Sequence, residues 1–168
     1  APDLAMPGAT DAISELVRRA RAGGVKHLVL LSGRGEEEAQ ACEAIIQASG
    51  IDWTIVRASW FNQNFSEGAF IDMLQAGQIT LPDVSTPEPC VDVDDIAEVA
   101  VVALTQPGHS GELYEVTGPR MLTLGDIAEE LSNATGWTIK YTPIPHDALV
   151  QGVAESGARQ DVLWMLDY

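Results

Sequence analysis

The run Leu28-Val29-Leu30-Leu31 constrains the fold most, because it is apolar without alternation. An alternating strand suits a sheet with one wet face. An unbroken apolar run suits a strand covered on both faces, as in a parallel sheet. The run stops at Ser32-Gly33-Arg34-Gly35, a small and flexible loop. Helical spacing then holds from Glu36 to Ser49, with Ala39, Cys42, Ile45 and Ile46 turned inward, and Gly50 ends it. Asp52–Arg57 reads as a second strand. Two parallel strands joined by one helical crossover deliver their following loops to the same edge, and ligands of open α/β sheets bind at that carboxyl edge. The second loop is Ser59-Trp60-Phe61-Asn62-Gln63-Asn64.

The same period changes order the rest of the chain. Thr10–Ala22 is expected to be an amphipathic helix, with Ile13, Leu16, Val17 and Ala20 inward, Thr10 as its cap and Gly23-Gly24 as its stop. Glu67–Gln75 reads as a helix, and Gln78–Leu81 and Pro89–Val91 as short strands. Asp92-Val93-Asp94-Asp95 opens a helix to Thr105, Gly111–Thr117 is a strand, and Thr123 caps a helix to Ala134. Trp137–Pro143 is a further strand, and Pro145 starts one or two terminal helices. Helices alternate with strands across short turns, which is the α/β class.

A chain of 168 residues is one ordinary domain with room for a core. Nine Lys and Arg stand against 25 Asp and Glu, a net charge of −16. Such a field repels phosphate backbones, so direct nucleic-acid binding is not expected. No apolar run approaches the ~20 residues that span a membrane. The two cysteines, Cys42 and Cys90, fit a reduced, cytoplasmic protein and read as small core residues rather than nucleophiles.

Other polar residues have plainer readings than ligands. Arg57 is expected to pair with an acid such as Glu43 or Asp92 rather than with a phosphate. Asp92, Asp94 and Asp95 lack the Gly and distal Glu of a calcium loop and suit a helix start. His27, His109 and His146 show no metal-ligand spacing, so no metal is expected. Trp60 and Trp137 are able to stack on a ring, with Trp137 expected in the core.

At these residues the chain resembles the NmrA-like group of atypical short-chain dehydrogenase/reductases. The likeness rests on Pro2-Asp3 before a helix, on HLVLLSGRGE at 27–36, and on ACEAIIQASGIDWTIVR at 41–57. It continues through Asn64, VDVDDIA at 91–97, YEVTGP at 114–119 and Leu122-Thr123. The resemblance implies an NAD(P)-binding Rossmann-like parallel sheet. Residues 1–168 would be one domain of this kind, with residues of about 60–90 and 119–168 forming a smaller α/β substrate-side lobe. The family's glycine-rich strand–turn–helix for the pyrophosphate is not present, since Gly33-x-Gly35 has no third glycine in register. The sequence is therefore expected to be the C-terminal part of the fold, with roughly 70–90 residues preceding it at ~30 residues per βα repeat.

Short-chain dehydrogenases of the usual kind use a Tyr-x-x-x-Lys pair, the Lys lowering the pKa of the Tyr. Here Tyr114, Tyr141 and Tyr168 have no Lys four residues on, so that chemistry is not expected and no catalytic residue is assigned. Two functions remain. One is an NAD(P)H-dependent reductase passing hydride to a small acceptor such as a quinone or azo compound, with water supplying the proton. The other is a dinucleotide-binding redox sensor that acts on a protein partner without turnover. The resemblance places Pro2, Asp3, Leu4, Ser32, Gly33, Ala58, Ser59, Trp60 and Phe61 on the nicotinamide side, and Asn62, Asn64 and Phe65 towards substrate. Ser32 either touches the cofactor or ties down its own loop. The choice of NAD or NADP, the substrate, and any homo-oligomer stay open.

Overall fold

A computed structural model describes residues 3–68, 70–83 and 86–155. The chain divides into two compact units: residues 1–59 with 93–117, and residues 60–92 with 118–168.

The first unit holds α1 (Ala9–Ala22), β1 (His27–Gly33), α2 (Glu37–Gln47), β2 (Asp52–Ala58), α4 (Val93–Thr105) and β4 (Glu112–Val116). Its sheet is parallel in the order β1-β2-β4. β1 and β2 pair in register from His27 opposite Asp52 to Gly33 opposite Ala58, so both strands end together. Ile13, Val17, Ala39, Cys42 and Ile46 make the core between α1 and α2, with Leu28, Leu30 and Trp53 of the sheet packed against it. Inside β2, Thr54 is fully buried; its hydroxyl donates to the His109 carbonyl and lies 2.9 Å from Nε2 of His27.

Four expectations fail here. α1 is capped by Gly8 with φ 82° rather than by Thr10, because glycine alone takes that left-handed turn without strain. Leu16 lies on the solvent side of α1. β1 is not covered on both faces, since Leu31 is 48% exposed, and the strand lies at one edge of the sheet. It also runs on to Gly33, so Ser32 and Gly33 belong to the strand rather than to the loop.

The second unit holds a 3-10 turn (Asn62–Phe65), α3 (Ile71–Gln75), β3 (Gln78–Ile79), α5 (Leu124–Thr135), β5 (Lys140–Tyr141) and α6 (His146–Glu155). β3 and β5 pair in parallel. The core is Phe65, Leu74, Ile79, Leu81, Cys90, Leu124, Ile127, Ala128 and Ile139. Thr123 caps α5 reciprocally with Asp126: the Asp126 N–H donates to the Thr123 hydroxyl, and the Thr123 N–H to the Asp126 carboxylate.

The expected strands shrink in this unit. Pro89–Val91 and its neighbours make single bridges, Phe61 with Val91 and Glu88 with Leu122, because prolines at 87 and 89 cannot donate to a ladder. Trp137–Pro143 contracts to Lys140–Tyr141, and Glu67–Gln75 to α3. Trp137 is 55% exposed rather than in the core. Cys42 and Cys90 are free and buried, as expected.

Candidate functional site

The carboxyl ends of β1 and β2 are braced by one polar network, and each member follows from where its element ends. Glu43 lies on the inner side of α2 and is buried. Arg57 is the penultimate residue of β2. Its guanidinium grips Glu43 with both prongs, Nε to Oε1 at 3.0 Å and Nη2 to Oε2 at 2.6 Å. Ser32 Oγ, opposite Arg57 in register, donates to Glu43 Oε1 at 2.6 Å. Arg57 Nη1 also reaches Glu115 of β4 at 3.3 Å, and Arg34 lies 3.7 Å from the same carboxylate. Burial pushes the Glu43 carboxyl up, but hydrogen bonds from Arg57 and Ser32 and the Arg57 charge bring it below the ordinary value. Backbone bonds complete the edge: the Arg34 N–H donates to the Ala58 carbonyl at 2.9 Å, and the Ser59 N–H to that of Val116 at 3.3 Å.

The residues nominated from the sequence take distinct places. Ser32, Gly33, Ala58 and Ser59 stand together at this edge, and Ser32, Ala58 and Ser59 are buried. The Ser32 hydroxyl donates to Glu43 of α2 and so ties the end of the strand to the helix. Asp3 caps its own turn by accepting from the Ala5 N–H, and Leu4 is buried against the first core. Pro2 lies outside the described residues. In the second unit, Trp60 and Phe61 run beside Val91, the Val91 N–H donating to the Trp60 carbonyl and the Asn62 N–H to the Val91 carbonyl, both at 2.8 Å. Asn62 is exposed, Asn64 is half-buried, and Phe65 is buried within the core.

Three residues that matter here were not nominated. Glu115 is the far anchor of Arg57, where Glu43 and Asp92 had been the expected partners; Asp92 instead accepts from Gln63 Nε2 at 2.9 Å. Glu36 lies over Gly33, where a methyl group on Gly33 would run into its carboxylate. Its carboxyl is raised, first by burial and then by the nearby charges of Asp3 and Glu38. Phe70 carries the Trp60 ring, with centroids 5.8 Å apart. The aromatic residue itself was the available signal, but its spacing from Trp60 follows no helix or strand period.

A cavity of about 630 Å³ in the first unit is lined by Glu115 and Val116 of this network together with Val99, Val102, His109 and Tyr114. None of the nominated residues lines it. No group of three or more metal-ligating side chains occurs among the described residues.

Residues 37–167 match the NmrA-like family. The chain belongs to the NmrA-like family. It is 33% identical over 156 residues to an NAD(P)H azoreductase of Xenophilus azovorans, covering 84% of this chain and 52% of that protein. It is 35% identical over 139 residues to a (4-alkanoyl-5-oxo-2,5-dihydrofuran-3-yl)methyl phosphate reductase of Streptomyces griseus, covering 77% and 49%. The chain thus spans about half the length of these curated relatives. Among solved structures, the NADPH-dependent quinone oxidoreductase QOR2 of Escherichia coli, complexed with NADPH, superposes with a TM-score of 0.80 at 22% identity, over 95% of this chain and 59% of that one. The negative transcriptional regulator Nmra in complex with NAD gives 0.64 at 17% identity, over 83% and 50%. The fold is therefore the Rossmann-like α/β class expected from the sequence. No helix among the described residues is long and apolar enough to cross a membrane.

Proposed function

We propose that the protein, at its full natural length, is an NAD(P)H-dependent reductase that passes hydride to a small acceptor such as a quinone or azo compound. One observation carries this reading. At the carboxyl edge of β1 and β2, Ser32 and Arg57 are spent on bracing Glu43 and Ala58 and Ser59 are small, and neither Tyr114 nor Tyr141 has a lysine four residues on. Such an edge is fixed and lacks the Tyr–Lys relay at these two tyrosines, which suits acceptors needing little proton help. The relatives named as an azoreductase and a quinone oxidoreductase support the same class.

The residues present fit the nicotinamide end of a dinucleotide. Ala58 and Ser59 give close backbone approach at the ends of parallel strands, where this fold receives its ligands. The pyrophosphate cradle has no counterpart in the sequence of this chain. The cofactor, when bound, supplies hydride. Arg57, Glu43 and Ser32 hold the edge rigid, so that Ala58 and Ser59 meet the ring without reorganising. Asn62 and Asn64 face the acceptor, and water delivers the proton that balances the transferred hydride. The second unit is the substrate-side lobe in this reading, and the setting is cytoplasmic, in keeping with free Cys42 and Cys90. The choice between NAD and NADP stays open.

A second reading, a redox sensor that binds dinucleotide without turnover, draws on the likeness to the regulator Nmra. Steady-state oxidation of NADH and NADPH in the presence of quinones and azo compounds separates the two. Sustained turnover is expected, and saturable cofactor binding with no turnover overturns the reductase in favour of the sensor.

A further inference from the structure

The second unit contains an aromatic staircase. Phe65 is buried in the core; the Phe70 ring lies 5.3 Å from it, and the Trp60 ring lies 5.8 Å from Phe70. Exposure rises along it to Trp60, which is 37% exposed. Leaving a large indole in water is unfavourable by the area it keeps wet, so an exposed tryptophan on a rigid base draws attention as a contact surface.

The base is rigid for identifiable reasons. The Trp60 and Asn62 backbones are pinned on either side by Val91. The Phe70 N–H donates to the Asn64 carbonyl at 3.1 Å, and the Asn64 N–H to that of Phe61 at 3.1 Å, which brings Phe70 back to the 61–64 segment. Gly68 permits the fold: a methyl group there would sit 2.8 Å from the Asn64 Cα and 3.1 Å from the Gln63 carbonyl. The loop is thus built to bring Phe70 beneath Trp60. Phe70 also packs against the core that contains Phe65, which anchors the ring from below.

We infer that Trp60, backed by Phe70, is a stacking platform that selects planar two-ring aromatic acceptors over compact one-ring ones. The indole matches a fused bicyclic ligand in extent, and ring-on-ring contact gains with shared area. An immobilised platform loses little entropy on binding, so its contact energy goes into discrimination. This inference rests on the reductase reading for the word acceptor, and it assigns Trp60 to the acceptor rather than to the nicotinamide. Phe70 is a positioning residue that acts through Trp60.

The test uses 2,3-dimethyl-1,4-naphthoquinone, whose blocked ring positions prevent thiol addition, with duroquinone as the compact comparison. Equilibrium dialysis measures both on the full-length protein and on its Trp60→Leu, Trp60→Phe and Phe70→Leu variants, each checked for native circular dichroism. Trp60→Leu is expected to weaken naphthoquinone binding roughly three- to tenfold, the range that aromatic pairs give. Trp60→Phe keeps most of the affinity, Phe70→Leu loses less than Trp60→Leu, and duroquinone binding changes little. Equal naphthoquinone binding by Trp60→Leu and the parent, or none by the parent, overturns the platform. NAD(P)H oxidation on the same preparations keeps the two ideas apart. Trp60-dependent binding without oxidation keeps the platform and removes the reductase, and oxidation indifferent to Trp60 does the reverse.

Discussion

The two units hold the segments proposed to face ligand by opposite means. In the first, the ends of β1 and β2 are locked by charge: Ser32 and Arg57 converge on buried Glu43, and Arg57 reaches on to Glu115. In the second, residues 60–68 and Phe70 are held by rings, by short backbone bridges, and by glycine at a point of close approach. A charge lock is directional and fixes strand register, but it fails if one partner is removed or neutralised. Apolar packing tolerates pH and instead fails when volume changes. The comparison teaches where each unit is fragile, and it can be broken by experiment.

The largest effect is expected from Arg57→Leu. It strands Glu43 in the core without its cation, and breaking a buried pair in this way costs about 3–5 kcal/mol. Urea unfolding measures the loss, and hydrogen exchange should localise it to β1 and β2. Next, Gly118→Ala drives a methyl group into the Cys90 carbonyl, at a cost of about 3 kcal/mol by overpacking. Exchange should then rise in the second unit. Equal protection changes in both units for either variant would break the comparison.

Glu43→Gln sharpens it. The lost charge-assisted bonds to Arg57 and Ser32 cost about 2 kcal/mol at neutral pH. The Glu43 carboxyl is lowered in the folded protein, so its contribution is complete above the unfolded value of about 4.3 and disappears as pH falls through the folded value. The stability gap between the parent and Glu43→Gln should therefore close on acidification, whereas the Gly118→Ala gap should not. Thr123→Ala removes one side of the α5 capping box and should cost about 1 kcal/mol in thermal unfolding. The smallest effect belongs to Arg18→Ala. Its pair with Glu15 is fully at the surface, although Arg18 and Arg19 draw the Glu15 carboxyl down to about 2. No measurable change in Tm is expected, because solvent screens such pairs.

The sequence revealed these regions unequally. β1, α2 and β2 were legible because an unbroken apolar run and a helical period leave little choice. The Arg57–Glu43 pair was also legible, as an arginine at a strand end needs an acid within reach. That Glu43 is buried was not, since a glutamate in a helix reads as a solvent residue until its partner, 14 positions away, is seen. β1 was read as covered on both faces, but apolar residues record the partner a strand is suited to, not the one present, and Leu31 is exposed at the sheet edge. In the second unit, single bridges such as Pro82 with Ile144 leave no period to read, and Phe70 gave no sign that it underlies Trp60. Trp137 misled for a simpler reason: a large apolar residue is usually covered, and this one is not.

The most direct test of the proposed function is a titration of the full-length protein with NADPH and with NADH, followed by the fluorescence of the reduced nicotinamide. Saturable binding of at least one, weakened by Arg57→Leu at temperatures where that variant stays folded, is the predicted result. No saturable binding of either by the folded parent protein would contradict the reductase and the sensor readings together.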